Sequence, residues 1–238
     1  MGNKLNLRVH LPGWLTSMFP AAIWRMSAKE KVLYLTFDDG PVPEVTPHVL
    51  DILEKNDVKA TFFCVGENVA RYPDLFEQIK KAGHTVGNHT YNHLRSFKTG
   101  NKQYLDNIEK ANTLIKSNLF RPPHGTLKPL QYNAVAQKYQ VIMWDVISCD
   151  YDPGLKPEKC LRNVIDFVRN GSIITFHDSV KAKTNVLTVL PKAIEFLKNE
   201  GYTFKKIEFP EKQPVQLTTK ALVSDRIKQS INRLRKGA

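Results

Sequence analysis

Residues 32–41 read VLYLTFDDGP, an apolar run that ends on two adjacent aspartates, Asp38 and Asp39. The run is rich in β-branched and aromatic residues, which predicts a β-strand. Gly40 and Pro41 follow it and predict a turn. The two carboxylates then lie at the carboxyl end of a strand, where parallel α/β sheets bind ligands. The same residue types favour a plain turn, so this pair alone leaves both interpretations open.

Two histidines four residues apart form the second informative feature, in the stretch HTYNH at residues 89–93. On an α-helix such positions share a face and differ by about 6 Å in rise, so both rings can reach one ion. On a strand they lie roughly 13 Å apart and cannot converge. If His89 and His93 bind a metal, the spacing predicts a helical turn; two ordinary histidines are the alternative. With Asp38 and Asp39 they offer ligands for one divalent ion and a spare carboxylate for proton transfer.

Short apolar runs alternate with helical patterns along the chain, which predicts a β/α arrangement with about seven parallel strands. The predicted strands cover residues 32–37, 60–65, 85–86, a short stretch near 120, 141–144, 172–176 and 202–207. The predicted helices cover residues 73–81, 102–118, 127–139, 157–169 and 186–199, and one more begins near Thr46. The pattern fits either a parallel barrel or a doubly wound sheet, and both bind ligands at the carboxyl ends of their strands.

The composition is that of an ordinary soluble domain, with 42% apolar and 24% charged residues among 238. No linker or repeat divides the chain, which predicts a single domain with short extensions. Three cysteines without a C-x-x-C spacing indicate a reducing compartment. Residues 1–31 are interrupted by Pro12, Gly13 and Pro20, so neither a signal peptide nor a membrane span is predicted. The expected location is the cytoplasm or the inner face of the membrane.

The net charge of +12 comes from 35 basic and 23 acidic residues. Basic residues are frequent at residues 220–238, where apolar residues recur at helical spacing. The C-terminal extension at residues 211–238 is therefore predicted to form a basic amphipathic helix. Docking onto its own domain is the preferred interpretation, and peripheral contact with a membrane is the alternative. No nucleic-acid partner is expected, because no binding motif accompanies the charge. The chain is expected to be a monomer.

Five short motifs follow one another along the chain: TFDDGP at 36–41, HTYNH at 89–93, RPPHG at 121–125, WD to DY at 144–151, and FHD at 176–178. Their order and spacing resemble the polysaccharide deacetylases of carbohydrate esterase family 4. The resemblance implies a distorted (β/α)7 barrel with a catalytic domain at residues 32–210 and an N-terminal extension at 1–31 that packs on the barrel. It also implies a metal-dependent hydrolase that removes N-acetyl groups from a glycan.

The resemblance assigns the metal ligands to Asp39, His89 and His93. Two neutral imidazoles and one carboxylate leave positions for water and substrate, as a catalytic site requires. Zinc is the expected ion, and cobalt, nickel or iron are alternatives that the same ligands accept. Asp38 is expected to be the general base that takes a proton from water.

The same resemblance assigns the general acid to His177, which would protonate the leaving amine. Such an acid must be an imidazolium near neutral pH and needs a partner carboxylate, for which Asp150 is the matching residue. Arg121 is expected to hold Asp150. The backbone N–H of His124 is expected to donate to the oxyanion of the tetrahedral intermediate.

Three residues depart from the family's usual pattern near the substrate. His124 stands where tyrosine is usual, Tyr151 where tryptophan is usual, and Thr175 where leucine is usual. The usual tryptophan and leucine help to form the acetyl pocket, so the Thr175 hydroxyl is expected either to make that pocket more polar or to need an internal hydrogen bond. These departures favour, as an alternative, a related deacylase for an O-acetylated sugar or a small amide. A non-catalytic carbohydrate-binding descendant is a third hypothesis, against which the presence of every predicted ligand, acid and base argues.

Overall fold

Nine parallel strands form one curled sheet in the computed structural model, which describes residues 6–17, 19–27 and 29–210. The strands are β1 Ala22–Ile23, β2 Val32–Asp38, β3 Thr61–Cys64, β4 Thr85–Asn88, β5 Leu119–Phe120, β6 Gln140–Ile142, β7 Val146–Ile147, β8 Ile173–His177 and β9 Thr203–Phe204. Their order is β1-β6-β5-β4-β3-β2-β8-β7, and β9 pairs with the beginning of β2. The predicted β/α alternation is therefore present, with two more strands than predicted.

The longest strand, β2, lies between β3 and β8 and fixes the register of the site. Asp38 is the register partner of Phe63 on one side and of His177 on the other. Because all three strands are parallel, their carboxyl ends meet at one edge of the sheet. The register thus places Asp38 and His177 side by side at that edge.

Sequence periodicity missed β1 and β7, which have only two residues each. Both stand at the ends of the strand order. An antiparallel bridge between Arg25 and Ser172 links the segment after β1 to the beginning of β8. No apolar pattern in the sequence marked these two short strands, and only their pairing with a neighbouring strand defines them.

The helices cover the outer face of the sheet. They are α1 Gly13–Thr16, α2 Thr46–Lys55, α3 Gly66–Arg71, α4 Pro73–Lys81, α5 Asn101–Ile115, α6 Pro129–Lys138, α7 Pro157–Ile165 and α8 Lys183–Asn199. Proline stands in the first turn of α2, α4, α6 and α7. Its missing N–H costs nothing there, because the first N–H groups of a helix have no partner inside it. Helix α3 was not predicted, and α7 ends earlier than predicted.

Successive side chains of β2 lie on opposite faces of the sheet. Phe37 is fully buried and stacks on Phe62 and Phe176, at ring-centroid distances of 4.9 and 6.1 Å. These rings belong to the apolar core that includes residues of α2 and α8. Since successive side chains of a strand point to opposite faces, Thr36 and Asp38 point to the interior of the barrel.

Parts of the predicted extensions fall within the described residues. In the N-terminal stretch, β1 pairs with β6, and Val9 is buried against Val146 and Ile147. The predicted C-terminal helix at residues 211–238 lies outside the described residues. Within the ranges that the structure describes, no helix has the length and apolar character needed to cross a bilayer.

Candidate active site

A groove of about 570 Å³ opens at the carboxyl ends of the strands. Most of the sequence-predicted site residues line it: Asp38, Asp39, His89, His93, His124, Tyr151 and His177. They come from the ends of β2, β4 and β8 and from the loops that follow β5 and β7. The structure therefore gathers residues that are far apart in sequence around one opening.

Three side chains in the groove meet the requirements of a metal site. The Nε2 atoms of His89 and His93 lie 3.8 and 3.2 Å from Oδ1 of Asp39. All three ligand atoms lie within 4.8 Å of one another. Atoms bound about 2.1 Å from a tetrahedral ion lie about 3.4 Å apart, so this spacing fits a single ion.

The protonation of these groups also suits a metal. Nδ1 of His89 lies 2.8 Å from the backbone carbonyl oxygen of Arg121, which can only accept, so Nδ1 donates and the Nε2 lone pair is directed toward Asp39. Burial lowers the pKa of His89 to about 4, against the opposing charges of Asp38 and Asp39. Burial would raise the pKa of Asp39, but the hydrogen bond from His93 and the nearby histidine charges lower it. At neutral pH His89 is then a neutral imidazole and Asp39 a carboxylate, which are the forms that can bind a metal ion.

The predicted helical turn over residues 89–93 is wrong. Thr90 and His93 have φ of 65° and 52°, values that an α-helix does not contain. Side-chain oxygens accept the loop's backbone N–H groups: Asn88 Oδ1 accepts from Thr90, and Asn107 Oδ1 accepts from Tyr91. These bonds replace the carbonyl partners of a helix. The loop nevertheless brings the rings of His89 and His93 to 5.1 Å between centroids.

Left-handed backbone conformations are concentrated around the groove. Five residues other than glycine have positive φ at or beside the site: Asp39 (87°), Thr90 (65°), His93 (52°), His124 (59°) and Cys149 (61°). Such conformations are uncommon for side chains with a Cβ and cost about 1–3 kcal/mol each where they are strained. They persist where the surrounding structure holds them, as at a site that must present side chains in fixed directions.

Arg121 binds Asp38, which corrects the predicted contact with Asp150. Its Nη1 donates to Asp38 Oδ1 at 2.7 Å and to Thr36 Oγ1 at 2.8 Å. Nε and Nη2 donate to the carbonyl oxygens of Ile142 and Met143. The side chain is fully buried. Inside the barrel, the carboxylate of Asp38 at the end of β2 is nearer to the guanidinium than that of Asp150 is. The order of the residues in the sequence does not reveal which carboxylate is nearer.

Of the two expectations for Thr175, the structure shows the internal hydrogen bond. Its side chain is fully buried in the barrel, and its hydroxyl lies 3.2 Å from Thr36 Oγ1. Thr36 donates its own proton to the carbonyl oxygen of Ile174, so Thr175 is the donor in this pair. The hydroxyl therefore extends the polar network around Arg121 beneath the site.

His177, at the end of β8, forms an ion pair with the fully buried Asp150. Asp150 accepts from Nδ1 of His177 at 2.7 Å and, through its second oxygen, from the backbone N–H of the same residue at 2.8 Å. Burial disfavours the charged ring, but the carboxylate of Asp150 outweighs it and raises the pKa of His177 to about 9. His177 is therefore an imidazolium at neutral pH.

Removing the charge of Asp150 should lower the pH at which activity is lost on the alkaline side. A raised pKa means that the imidazolium is present below about pH 9 and disappears above it. In Asp150→Asn the ring loses the opposite charge, so the alkaline limb of kcat is expected to move down by about 1–3 pH units. A pH–kcat profile of both proteins measures this shift. An unchanged limb would show that another group supplies the proton.

Seven lining residues were not among the predicted site residues: Arg95, Pro122, Gly125, Trp144, Ile147, Ser179 and Lys181. Trp144 and Ile147 add apolar surface, and Arg95 and Lys181 add positive charge. Gly125 packs against Trp144, where a Cβ atom would meet the indole. The sequence signal for Trp144 was its place in the fourth motif, but Arg95 and Lys181 resemble any other surface cation in the chain.

The sequence also matches a known family model, that of polysaccharide deacetylase, over residues 25–142. A peptidoglycan-N-acetylglucosamine deacetylase of Bacillus cereus is 33% identical over 190 residues, which cover 76% of this chain and 88% of the relative.

This chain belongs to the polysaccharide deacetylase family.

Two solved structures resemble this polysaccharide deacetylase. A peptidoglycan N-acetylglucosamine deacetylase in complex with an N-hydroxybenzamide superposes with a TM-score of 0.77 and 29% identity, over 82% of this chain and 94% of that one. A family 4 acetyl xylan esterase from Clostridium thermocellum, solved with a cobalt ion, has a TM-score of 0.68 and 31% identity, over 74% of this chain and 87% of that one. These similarities confirm the predicted (β/α)7 barrel-like fold and the hydrolase class.

Proposed function

We propose that this polysaccharide deacetylase is a metal-dependent hydrolase that removes the N-acetyl group from N-acetylglucosamine-type residues of a glycan. The observation that carries the proposal is the shared groove, in which His177 as an imidazolium stands with the cluster of Asp39, His89 and His93. An amide needs both an activated water and protonation of its amine leaving group, and the two sets of residues supply these functions separately.

Asp39, His89 and His93 would hold one divalent ion, for which zinc is the first candidate and cobalt, nickel or iron are others. Bound there, the ion supplies Lewis-acid activation of water and of the amide carbonyl. Asp38 lies beside this cluster with Oδ1 held by Arg121, and it accepts the proton of the attacking water. The backbone N–H of His124 donates to the developing oxyanion.

His177 completes the reaction by donating its Nε2 proton to the nitrogen of the leaving amine. Its Nδ1 proton stays on the ring and is donated in a hydrogen bond to the carboxylate of Asp150, which holds the ring in place. The amine departs neutral, and acetate is the second product. The acid and the base lie on neighbouring strands in direct register, which allows both to face the same acetamido group.

The test is acetate release from an N-acetylglucosamine tetramer by protein stripped with a chelator and refilled with Zn²⁺ or Co²⁺. Refilling should restore release, and His89→Ala and His93→Ala should lose metal retention and turnover together. The matched control is His48→Ala, an exposed histidine of α2 outside the groove. Full turnover by a metal-free variant would contradict the proposal.

O-Deacetylation is the second candidate, because the acetyl xylan esterase shares the fold and 31% of its sequence in the compared region. The alkoxide of an ester needs less help from a general acid to leave than the amine of an amide does. The variant His177→Asn should therefore slow the two reactions to different extents. Amide cleavage should fall by about 10²–10⁴, the range for a general acid, and ester cleavage by less. Predominant release from an O-acetylated xylooligosaccharide would favour the esterase function.

The location and assembly of the protein remain predictions. The membrane contact was predicted for the C-terminal helix at residues 211–238, which lie outside the described residues. The inner-face location and the monomeric state likewise stay predictions.

A further inference from the structure

The N-terminal segment at residues 6–10 packs behind one wall of the groove. The carbonyl oxygen of Val9 accepts from the backbone N–H of Ile147 at 3.0 Å. The side chain of Val9 is buried in one apolar cluster with Ile147, and Trp144 and Tyr151 pack against that cluster. Ile147, Trp144 and Tyr151 line the groove on their other side. The segment therefore supports the groove from behind.

Arg8 connects this segment to the ring of Tyr151. Its guanidinium donates to the hydroxyl oxygen of Tyr151 and forms an ion pair with Asp152, in which Nη2 lies 2.5 Å from Oδ2. The Sγ atom of Cys149 donates to the backbone carbonyl oxygen of Arg8 at 3.8 Å. Burial raises the pKa of the Tyr151 hydroxyl, so this group is neutral at physiological pH. A half-buried tyrosine hydroxyl of this kind needs a hydrogen-bond partner, and Arg8 supplies it.

The ring of Tyr151 in turn packs against the general acid. Its centroid lies 5.0 Å from the centroid of the His177 ring, and the two planes meet at 78°, an edge-to-face contact. The side chain of His177 is only 12% exposed. The position of the Tyr151 ring therefore affects both the direction of the imidazolium and the access of water to it.

We propose that Arg8 is a positioning residue for the general acid: through the hydroxyl of Tyr151, it fixes the ring that packs against His177. This inference rests on the proposed function, because it concerns the acid of the same reaction. An arginine behind the groove then acts on the chemical step without touching the substrate. Its effect depends on the hydroxyl at position 151, which phenylalanine lacks.

The test is a double-mutant cycle between Arg8→Met and Tyr151→Phe. It measures kcat and KM for acetate release from an N-acetylglucosamine tetramer by the zinc-loaded protein. Arg8→Met should lower kcat by about three- to tenfold, the contribution of one hydrogen bond. KM should change by less than about twofold, because the substrate does not meet this arginine.

The second arm of the cycle repeats the substitution where the hydroxyl is missing. Tyr151→Phe should lower kcat about as much as Arg8→Met does. Arg8→Met added to Tyr151→Phe should then lower kcat by less than about twofold more, since the two side chains act as one unit. Arg8→Lys keeps a charged donor and should recover part of the loss.

Arg25→Met is the matched control, because Arg25 is an exposed arginine of the same N-terminal stretch and is not among the lining residues of the groove. It removes the same charge and should leave kcat unchanged. Urea unfolding of each variant accompanies the kinetics, so that a loss of folded protein is not taken for a loss of catalysis.

Three results would overturn the inference while acetate release by the parent protein still supported the proposed function. The first is no fall of kcat in Arg8→Met, and the second is an equal fall with and without the hydroxyl of Tyr151. The third is a rise of KM at constant kcat, which would make Arg8 a substrate-binding residue. No release by the metal-loaded parent protein would overturn the proposed function, and the inference with it.

Discussion

Arg121→Met is expected to lower the free energy of unfolding by about 3–5 kcal/mol, the range for removing one partner of a buried ion pair. The guanidinium is fully buried and lies 2.7 Å from Asp38, whose side chain is also almost wholly buried. Without it, a carboxylate is left inside the barrel with no counter-charge. The carbonyl oxygens of Ile142 and Met143 also lose their donors. Methionine keeps the length of the stem, so the loss reports on charge and hydrogen bonding rather than on a large cavity.

Urea unfolding followed by tryptophan fluorescence measures the effect. Arg71→Met is the matched control, because Arg71 forms an exposed pair with Glu67 at 4.0 Å. A surface pair contributes about 0–1 kcal/mol, so this variant should unfold almost like the parent protein. Arg121→Lys keeps the charge but loses the fork of donors, and should fall between the two. A loss below about 1 kcal/mol in Arg121→Met would show that the ion pair does not hold the barrel interior together.

Asp38→Asn is expected to reduce kcat for acetate release by about 10²–10⁴, the contribution of a positioned general base. The asparagine oxygen can still accept from Arg121, which now holds Asp38 at Oδ1, so the local hydrogen bond is retained. An amide, however, cannot take a proton from water near neutral pH. The loss should therefore appear in kcat, with little change in the amount of metal bound.

Metal content measured alongside kcat separates the two possible roles of this carboxylate. Retained metal with a large loss of kcat supports the base assignment, whereas loss of metal would make Asp38 a ligand. Asp51→Asn is the control, since Asp51 is exposed on α2 and pairs with Lys55 at the surface. A fall of less than about tenfold in Asp38→Asn would assign proton removal to another group.

Local pattern was sufficient to predict the long elements. The apolar run at residues 32–37 became β2, which extends by one residue to Asp38, and the predicted helix at 73–81 is α4 with the same ends. In both cases the preference of the local sequence agrees with the tertiary structure. Strand β2 is an apolar strand buried on both faces, and α4 has a proline in its first turn. Elements of two residues, β1 and β7, exist only because a neighbouring strand pairs with them.

His89 and His93 lie close together as predicted, but not on the helical turn that their spacing indicated. The separation of four residues favoured a helical turn. Instead, Asn88 and Asn107 accept hydrogen bonds from the backbone N–H groups of the loop. Positive φ at Thr90 and His93 turns the two histidine rings toward each other. Asn107 lies on α5, so part of this loop's conformation depends on a helix that comes later in the chain.

The sequence by itself determined which reactive side chains are present and at which strand ends they lie, because apolar periodicity and motif order are local properties of the chain. Only the tertiary structure decided their partners. It bound Arg121 to Asp38 rather than to Asp150, buried Thr175 beneath the groove, and placed Arg95 and Lys181 on the groove wall. The physical reason is that an ion pair or a hydrogen bond depends on distances of about 3 Å between atoms, and the register of neighbouring parallel strands, not separation along the chain, sets those distances.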